Sequence, residues 1–408
     1  MKNQVTTENI IPAIAQHNAG RDPQLLAQKY RLMAQSPFVF LRGACHLFYT
    51  ALPESELLRT TPLAWCCGDL HFENFGSYKG DNQQVYFDIN DYDESALAPL
   101  TWDILRLLTS LQCGADVLKT TTEEAQAVSA TCLTAYRDAL LAGKPLWVEQ
   151  ETSKGLVYDL LESLQTRENS QFLDKRTVLN GRKRRFIVDG SKGLPVNKAE
   201  KQRVQAFMEQ FAAQQTDPKF FRVLDIGRRI AGTGSLGISR FQVLVRGGGS
   251  PDHNYVLDLK IAQPSSLHPP LAQFGITQPT STNEAQRVID AQNRMQAVNH
   301  AFLQAVTLDD KNYILRSLQP TEDRVSMGAW GKKISRLHQA AATMGRILAW
   351  DQLRASGRSG AANADALVEF AQSETWHSEL LTLARDMTEV THQQWTIFTA
   401  AWRDGQFK

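Results

Sequence analysis

Cys67-Gly68-Asp69-Leu70-His71-Phe72-Glu73-Asn74, followed by Val85-Tyr86-Phe87-Asp88-Ile89-Asn90-Asp91-Tyr92-Asp93-Glu94, is the stretch from which the rest of the chain is read. Asp69 and Asn74 stand at a spacing that lets one loop present a carboxylate to an acceptor hydroxyl and a side-chain amide to a metal ion. Asp88 and Asp91 follow on or just after a β-branched and aromatic run. Either suits a second metal ligand, because magnesium takes one or two carboxylates together with phosphates and water. The bland alternative is an acid-rich turn with solvated carboxylates.

Much later comes Gly232-Thr233-Gly234-Ser235-Leu236-Gly237, and then Val256-Leu257-Asp258-Leu259-Lys260. Glycines in this pattern also serve dinucleotide-binding folds, where a helix must begin directly after the last glycine to hold the pyrophosphate. Here Ile238 to Arg246 is β-branched and aromatic and ends in Gly247-Gly248-Gly249. The expected order is therefore strand, glycine loop, strand, turn, strand. In that order Gly232, Gly234, Ser235 and Gly237 cover a nucleotide's phosphates while Lys260 reaches them from the third strand. A plain glycine hairpin with Lys260 as an amphipathic strand residue is the competing reading. Such a lysine needs a carboxylate partner, and Glu284, at the start of the following helical pattern, is the leading candidate, with Asp290 behind it.

Taken together, these groups point to phosphoryl transfer from ATP with magnesium to a hydroxyl acceptor, carried by an α+β, protein-kinase-like two-lobed fold. The catalytic-loop segment precedes the glycine loop, the reverse of the usual order, so the expected fold is circularly permuted. Residues 1–216 would form a large helical lobe with the catalytic loop, 217–320 a small β-rich nucleotide lobe, and 321–408 the helices that complete the large lobe. Strands are expected over Val223–Ile230, Ser239–Arg246, Tyr255–Ile261 and Tyr313–Leu318, the last lying against the adenine. Helices are expected over Asp22–Tyr49 with a break at Ser36-Pro37, Trp102 to about Leu141, Asn283–Val306, and from Lys332 onward. Residues 150–216 are polar and give no clear pattern.

Composition narrows the partners. At 408 residues, with 42% hydrophobic and 21% charged side chains, the sequence is ordinary for a folded chain, and a net charge of +1 gives no general affinity for nucleic acid or an anionic membrane. The basic run Arg182-Lys183-Arg184-Arg185 reads as a solvated strand edge or loop, and Arg42 as a buried ion-pair partner. Five cysteines, odd in number and without zinc or disulfide spacing, favour a reducing compartment. The first residues, Met1 to Asn9, hold no apolar segment, so a cytoplasmic location is expected.

Cys67-Gly68-Asp69-Leu70-His71-Phe72-Glu73-Asn74 resembles the His-Gly-Asp-x-His-x-x-Asn loop of aminoglycoside phosphotransferases and choline kinases, with Cys67 where those enzymes have histidine. Asn90 to Glu94 resembles their Ile-Asp-Phe-Asp element, and Trp102-Asp103-Ile104 the helix start that follows. The resemblance implies Asp69 as catalytic base, Asn74 and Asp91 as metal ligands with Asp88 still eligible, and Asp103 as a buried brace of the loop. From Ser36 through Gly345-Arg346-Ile347-Leu348-Ala349 the chain also resembles an uncharacterised bacterial family, domain of unknown function 2252. It departs from that family at Gln352, where a histidine is usual. Nucleotidyl transfer on the same lobes, and nucleotide binding without turnover, are the alternatives.

Overall fold

The computed structural model describes residues 7–320, 323–373 and 375–407. Among them, helices fill most of 7–174 and 334–403, and a six-stranded antiparallel sheet lies between. Its spatial order is Gln304–Leu308, Lys311–Ser317, His253–Ile261, Arg240–Gly249, Val223–Arg229 and Gly193–Leu194. The expected strand, glycine loop, strand, turn, strand order is thus present, with Lys260 on the third strand of that series and paired with Arg240 on one side and Ile314 on the other.

Period-two alternation gives this sheet two unlike faces. Phe241, Val243, Val245, Leu257, Leu259, Tyr313 and Leu315 form an apolar cluster with Val204, Met208 and Phe211 of the helix Lys198–Ala213. The opposite parity holds Arg240, Asp258, Lys260 and Arg316, which face the helical body. Helix Lys198–Ala213 therefore belongs with the sheet. The sequence boundary at 216 placed it with the large lobe, because its amphipathic pattern does not say which surface it covers.

The helical body has one continuous core drawn from both ends of the chain. Helices Thr101–Cys113, Thr122–Leu141, Ile334–Ala355 and Thr375–Arg403 pack together in it, and Thr101–Cys113 is buried on every side. A capping box of Thr121 and Glu124 separates the second of these from the first, so the single helix expected over 102–141 is broken. Gln352 is a buried link: it accepts from the Tyr136 hydroxyl at 2.6 Å and donates to the Leu100 carbonyl at 3.2 Å. No helix among the described residues is long and apolar enough to cross a membrane. Met1 to Thr6 lie outside the described residues.

The helix expected over Asn283–Val306 ends at Met295. Gln304–Leu308 instead pairs with Lys311–Ser317 across a two-residue turn in which Asp309 and Asp310 both have positive φ, the backbone twist that suits a tight hairpin. Helical periodicity at Val298 and Phe302 is accidental; pairing with the sheet edge decides the conformation.

Asp88 lies on the strand Val85–Ile89, buried against helix Ile334–Ala355, where its carboxyl hydrogen-bonds that of Asp351. Burial pushes Asp88 up to about 6 and Asp351 well above the carboxylate range, with Arg354, 2.9 Å from Asp351, opposing both, so the pair retains a proton. Folded-state values above the unfolded ones mean that the stability these groups confer is present at low pH and is lost as pH rises, through about 6 for Asp88 and further up for Asp351. Asp351→Asn, which keeps a donor toward Asp88, is expected to flatten that decline and to leave stability at pH 7 within about 1 kcal/mol of wild type in thermal melts. A loss of several kcal/mol would show Asp351 to be ionised.

Candidate functional site

The Asp69 loop is held from below by one carboxylate. Asp103, in the first turn of helix Thr101–Cys113, accepts the backbone N–H of Cys67 at 2.7 Å and of Gly68 at 3.0 Å. Burial raises its carboxyl to about 6 even against these donors. Gly68 has φ +87°, and a Cβ there would lie 2.2 Å from the Glu94 carbonyl, so the close approach of the two acidic segments requires glycine. The Tyr49 hydroxyl donates to the Gly68 carbonyl. Asn74 spends its amide N–H on the Asp69 carbonyl at 2.7 Å, which leaves its oxygen for a cation.

Asp69 Oδ1 accepts from Arg106, which lies one helical turn after Asp103 and also donates to the Leu41 carbonyl at 2.9 Å. Burial raises the Asp69 carboxyl, and Arg106 limits the rise. Arg106 itself is fully buried, so the ion pair both orients the carboxylate and keeps it from closing on other cations.

Above this loop sits the glycine segment. A Cβ on Gly234 would come 3.2 Å from the Arg42 carbonyl and 4.0 Å from Asp69 Oδ2, so the loop rests directly over the carboxylate. The amino-terminal helices hold it there. Arg21 donates to the carbonyls of Gly234 at 2.5 Å and Leu236 at 2.9 Å, Lys29 to Gly234 at 3.3 Å, and the Asp22 N–H to Gly237 at 2.9 Å. Lys29 is fully buried, and its other partner is Asn18 at 2.7 Å; burial lowers its ammonium well below the ordinary value.

Between these parts lies a cleft of about 580 Å³. Asp69, Asn74, Asp91, Gly232, Gly234 and Ser235 all line it, as do Asp93, Glu94, Arg42 and Arg324. Lys260, buried on the sheet, does not itself line the cleft but pairs with Asp93, which does. Burial lowers its ammonium, while Asp91 and Asp69 pull the other way. For Asp91 burial alone would raise the carboxyl, but Lys260, Arg316, Arg240 and Arg324 overcome it and hold the group below the usual carboxylate range.

Three candidates stand elsewhere. Glu284 pairs with Arg287 at 2.6 Å, one turn along its own helix, and the carboxylate at Lys260 is Asp93. Asp88 belongs to the buried pair with Asp351 and not to the cleft, so of the two acidic candidates only Asp91 is in place for a metal. Gly237 anchors the loop to Asp22 without lining the cleft. Arg42 is an ion-pair partner as expected, with Glu73 at 2.5 Å, and Arg184 of the basic run is buried between Asp174 and Asp252.

Sequence reading passed over Arg106, Arg21, Lys29 and the inward arginines of the sheet. Two of these had a signal: Arg106 is three residues from Asp103 on one helix face, and Arg240 and Arg316 share strand parity with Lys260 and Asp258. Among the described residues no group of three or more His, Cys, Asp or Glu is placed to hold a metal ion. The hard oxygen donors of Asp91 and Asn74 fit magnesium, which commonly completes its shell with substrate phosphates and water.

The sequence model of a family described as an uncharacterized protein conserved in bacteria, domain of unknown function 2252, matches residues 21–401. No curated protein and no solved structure matches the chain.

Proposed function

We propose that this chain, which belongs to that uncharacterised bacterial family, is a magnesium-dependent transferase that moves a phosphorus-centred group from a nucleoside triphosphate such as ATP to a hydroxyl acceptor. The observation that carries the reading is convergence: Asp69, Asn74 and Asp91 meet Gly232, Gly234 and Ser235 in one cleft although about 140 residues of chain separate the two sets. A kinase-like, permuted two-lobed fold is supported by the same layout, with the glycine loop between the first two strands of the series and the lysine on the third.

In this reading Asp69 accepts the proton of the acceptor hydroxyl, and Arg106 keeps the carboxylate turned toward it. Asn74 and Asp91 would hold magnesium, which when bound neutralises charge on the phosphates. Lys260, positioned by Asp93, binds phosphate oxygens from the sheet side. Backbone N–H groups of the glycine loop cover the phosphates, and Arg21, Asp22 and Lys29 hold that loop over Asp69. The expectation from sequence is transfer of the terminal phosphoryl group; which phosphorus is transferred depends on how the nucleotide lies in the cleft.

Calorimetric titration of ATP with and without magnesium tests the reading. Binding should be at least tenfold tighter with magnesium, and Asp91→Ala should lose that gain. Equal affinity in all conditions, or no binding by the wild-type chain, would remove the nucleotide site.

A further inference from the structure

Two chambers meet at the glycine loop, sharing Asp91, Gly232, Ser235 and Arg324 in their walls. The wide one, about 580 Å³, extends past Asp69 to Thr50, Ile261, Pro264 and Pro269. The narrow one, about 30 Å³, lies toward Gln319 and Pro320, the segment that joins the sheet to the carboxyl-terminal helices. A void of that size takes a few waters or the oxygens of a phosphate, not a purine.

On the connecting segment several of the backbone groups that a base would use are already taken or lacking. The Gln319 carbonyl already accepts from Arg229 at 2.7 Å, and Pro320 has no N–H to donate. The expected adenine-facing strand, Lys311–Ser317, turns Arg316 toward the chamber instead of an apolar side chain.

Charge differs between the chambers as much as size. The narrow wall carries Arg229, Arg240, Arg316 and Arg324. One fully buried carboxylate, Asp258, lies 2.7 Å from Arg229, 2.6 Å from Arg240 and 3.9 Å from Arg316; Asp91, in the wall itself, is the second negative charge facing Arg316, Arg240 and Arg324, and Glu73 lies 3.8 Å from Arg324. Burying more guanidinium than carboxylate is costly unless an anion arrives. Of the cations that line the wide chamber, Arg21 is committed to loop carbonyls and Arg42 to Glu73, and Arg324 stands at the junction with the narrow one. Its far wall includes the stacked rings of His17 and His46, 4.0 Å apart, both kept neutral by burial, a flat surface suited to a base.

We infer that the nucleotide lies with its terminal phosphates on the arginines of the narrow chamber and its base in the wide one, so that the group transferred is a nucleoside monophosphate. This rests on the transferase reading and specifies it. The acceptor oxygen forms a bond to the α-phosphorus, the bond from that phosphorus to the α,β-bridging oxygen breaks, and pyrophosphate leaves. The acceptor's proton passes to the Asp69 carboxylate, and the product is a nucleoside monophosphate ester.

Calorimetry with ATP and with AMP, in magnesium, on the wild-type chain and on Arg229→Gln and Arg316→Gln, tests the orientation. The wild type should prefer ATP over AMP by at least tenfold, and each variant should lose most of that preference with AMP affinity changed less than threefold. Equal weakening of ATP and AMP would place the base against the arginines and overturn the inference, as would an unchanged preference. Wild-type protein incubated at length with ATP, water serving as acceptor, gives a measurement independent of variant folding: AMP with pyrophosphate supports the inference, and ADP with phosphate overturns it. Failure of the wild type to bind either nucleotide would instead remove the transferase reading itself.

Discussion

If the proposed transfer reaction holds, Asp69→Asn is expected to lower turnover by about 10²–10⁴-fold, the range typical of a lost general base, and to leave ATP affinity within about threefold. The reason is positional. Asp69 lies under Gly234 with Oδ1 committed to Arg106, and in the proposed reading it acts on the acceptor and does not hold the nucleotide. Product formed per ATP consumed is the readout, with a thermal melt beside it because Arg106 is fully buried and asparagine answers its charge less well. Burial raises the Asp69 carboxyl, so the acid limb of the wild-type rate profile should lie above the ordinary aspartate value and vanish in the variant. Undiminished turnover in a folded variant would mean that the base is another group.

Asp258→Ala has the largest expected effect on stability, a loss of about 3–5 kcal/mol, because removing one partner of a buried ion pair leaves the others uncompensated. Here three guanidinium groups pair with one carboxylate that has no exposed surface, and the other nearby carboxylate, Asp91, acts on Arg240 and Arg316. Burial opposes the charge on Asp258, but Arg229, Arg240 and Arg316 hold the carboxyl far below its usual range. Its contribution is therefore complete above the unfolded value near pH 4 and is lost as pH falls below it. Chemical denaturation at pH 7 and at pH 3.5 should show a smaller gap between variant and wild type at the lower pH. A loss under about 1 kcal/mol at pH 7 would show that water, not Asp258, satisfies the arginines.

The parts legible in the sequence share one property: their signal is contained in a few neighbouring residues. Gly68 is required by a close backbone approach, Gly234 sits in a tight one, and the strand that carries Lys260 is recognisable from its alternation. Asp103 was placed through resemblance, and its two backbone hydrogen bonds bear that placement out. The partner of Lys260 was not legible. Glu284 has the right distance in sequence, but Arg287 lies on the same helical face and takes it, while Asp93 comes from a loop 167 residues away. Asp88 failed for a similar reason, since its counterpart Asp351 lies 263 residues further on.

What the sequence by itself determined is the content of the segments: the acidic loop, the glycine loop, the strand lysine, the helical ends, and the unusual order in which they occur. Only the tertiary structure decided which of these meet, that the amino-terminal helices pin the glycine loop, and that the inward face of the sheet concentrates arginines on one carboxylate. Backbone preference is set over a few residues, so it can be read locally. Charge pairing is set by which surfaces are buried against each other, and here those surfaces come from opposite ends of the chain.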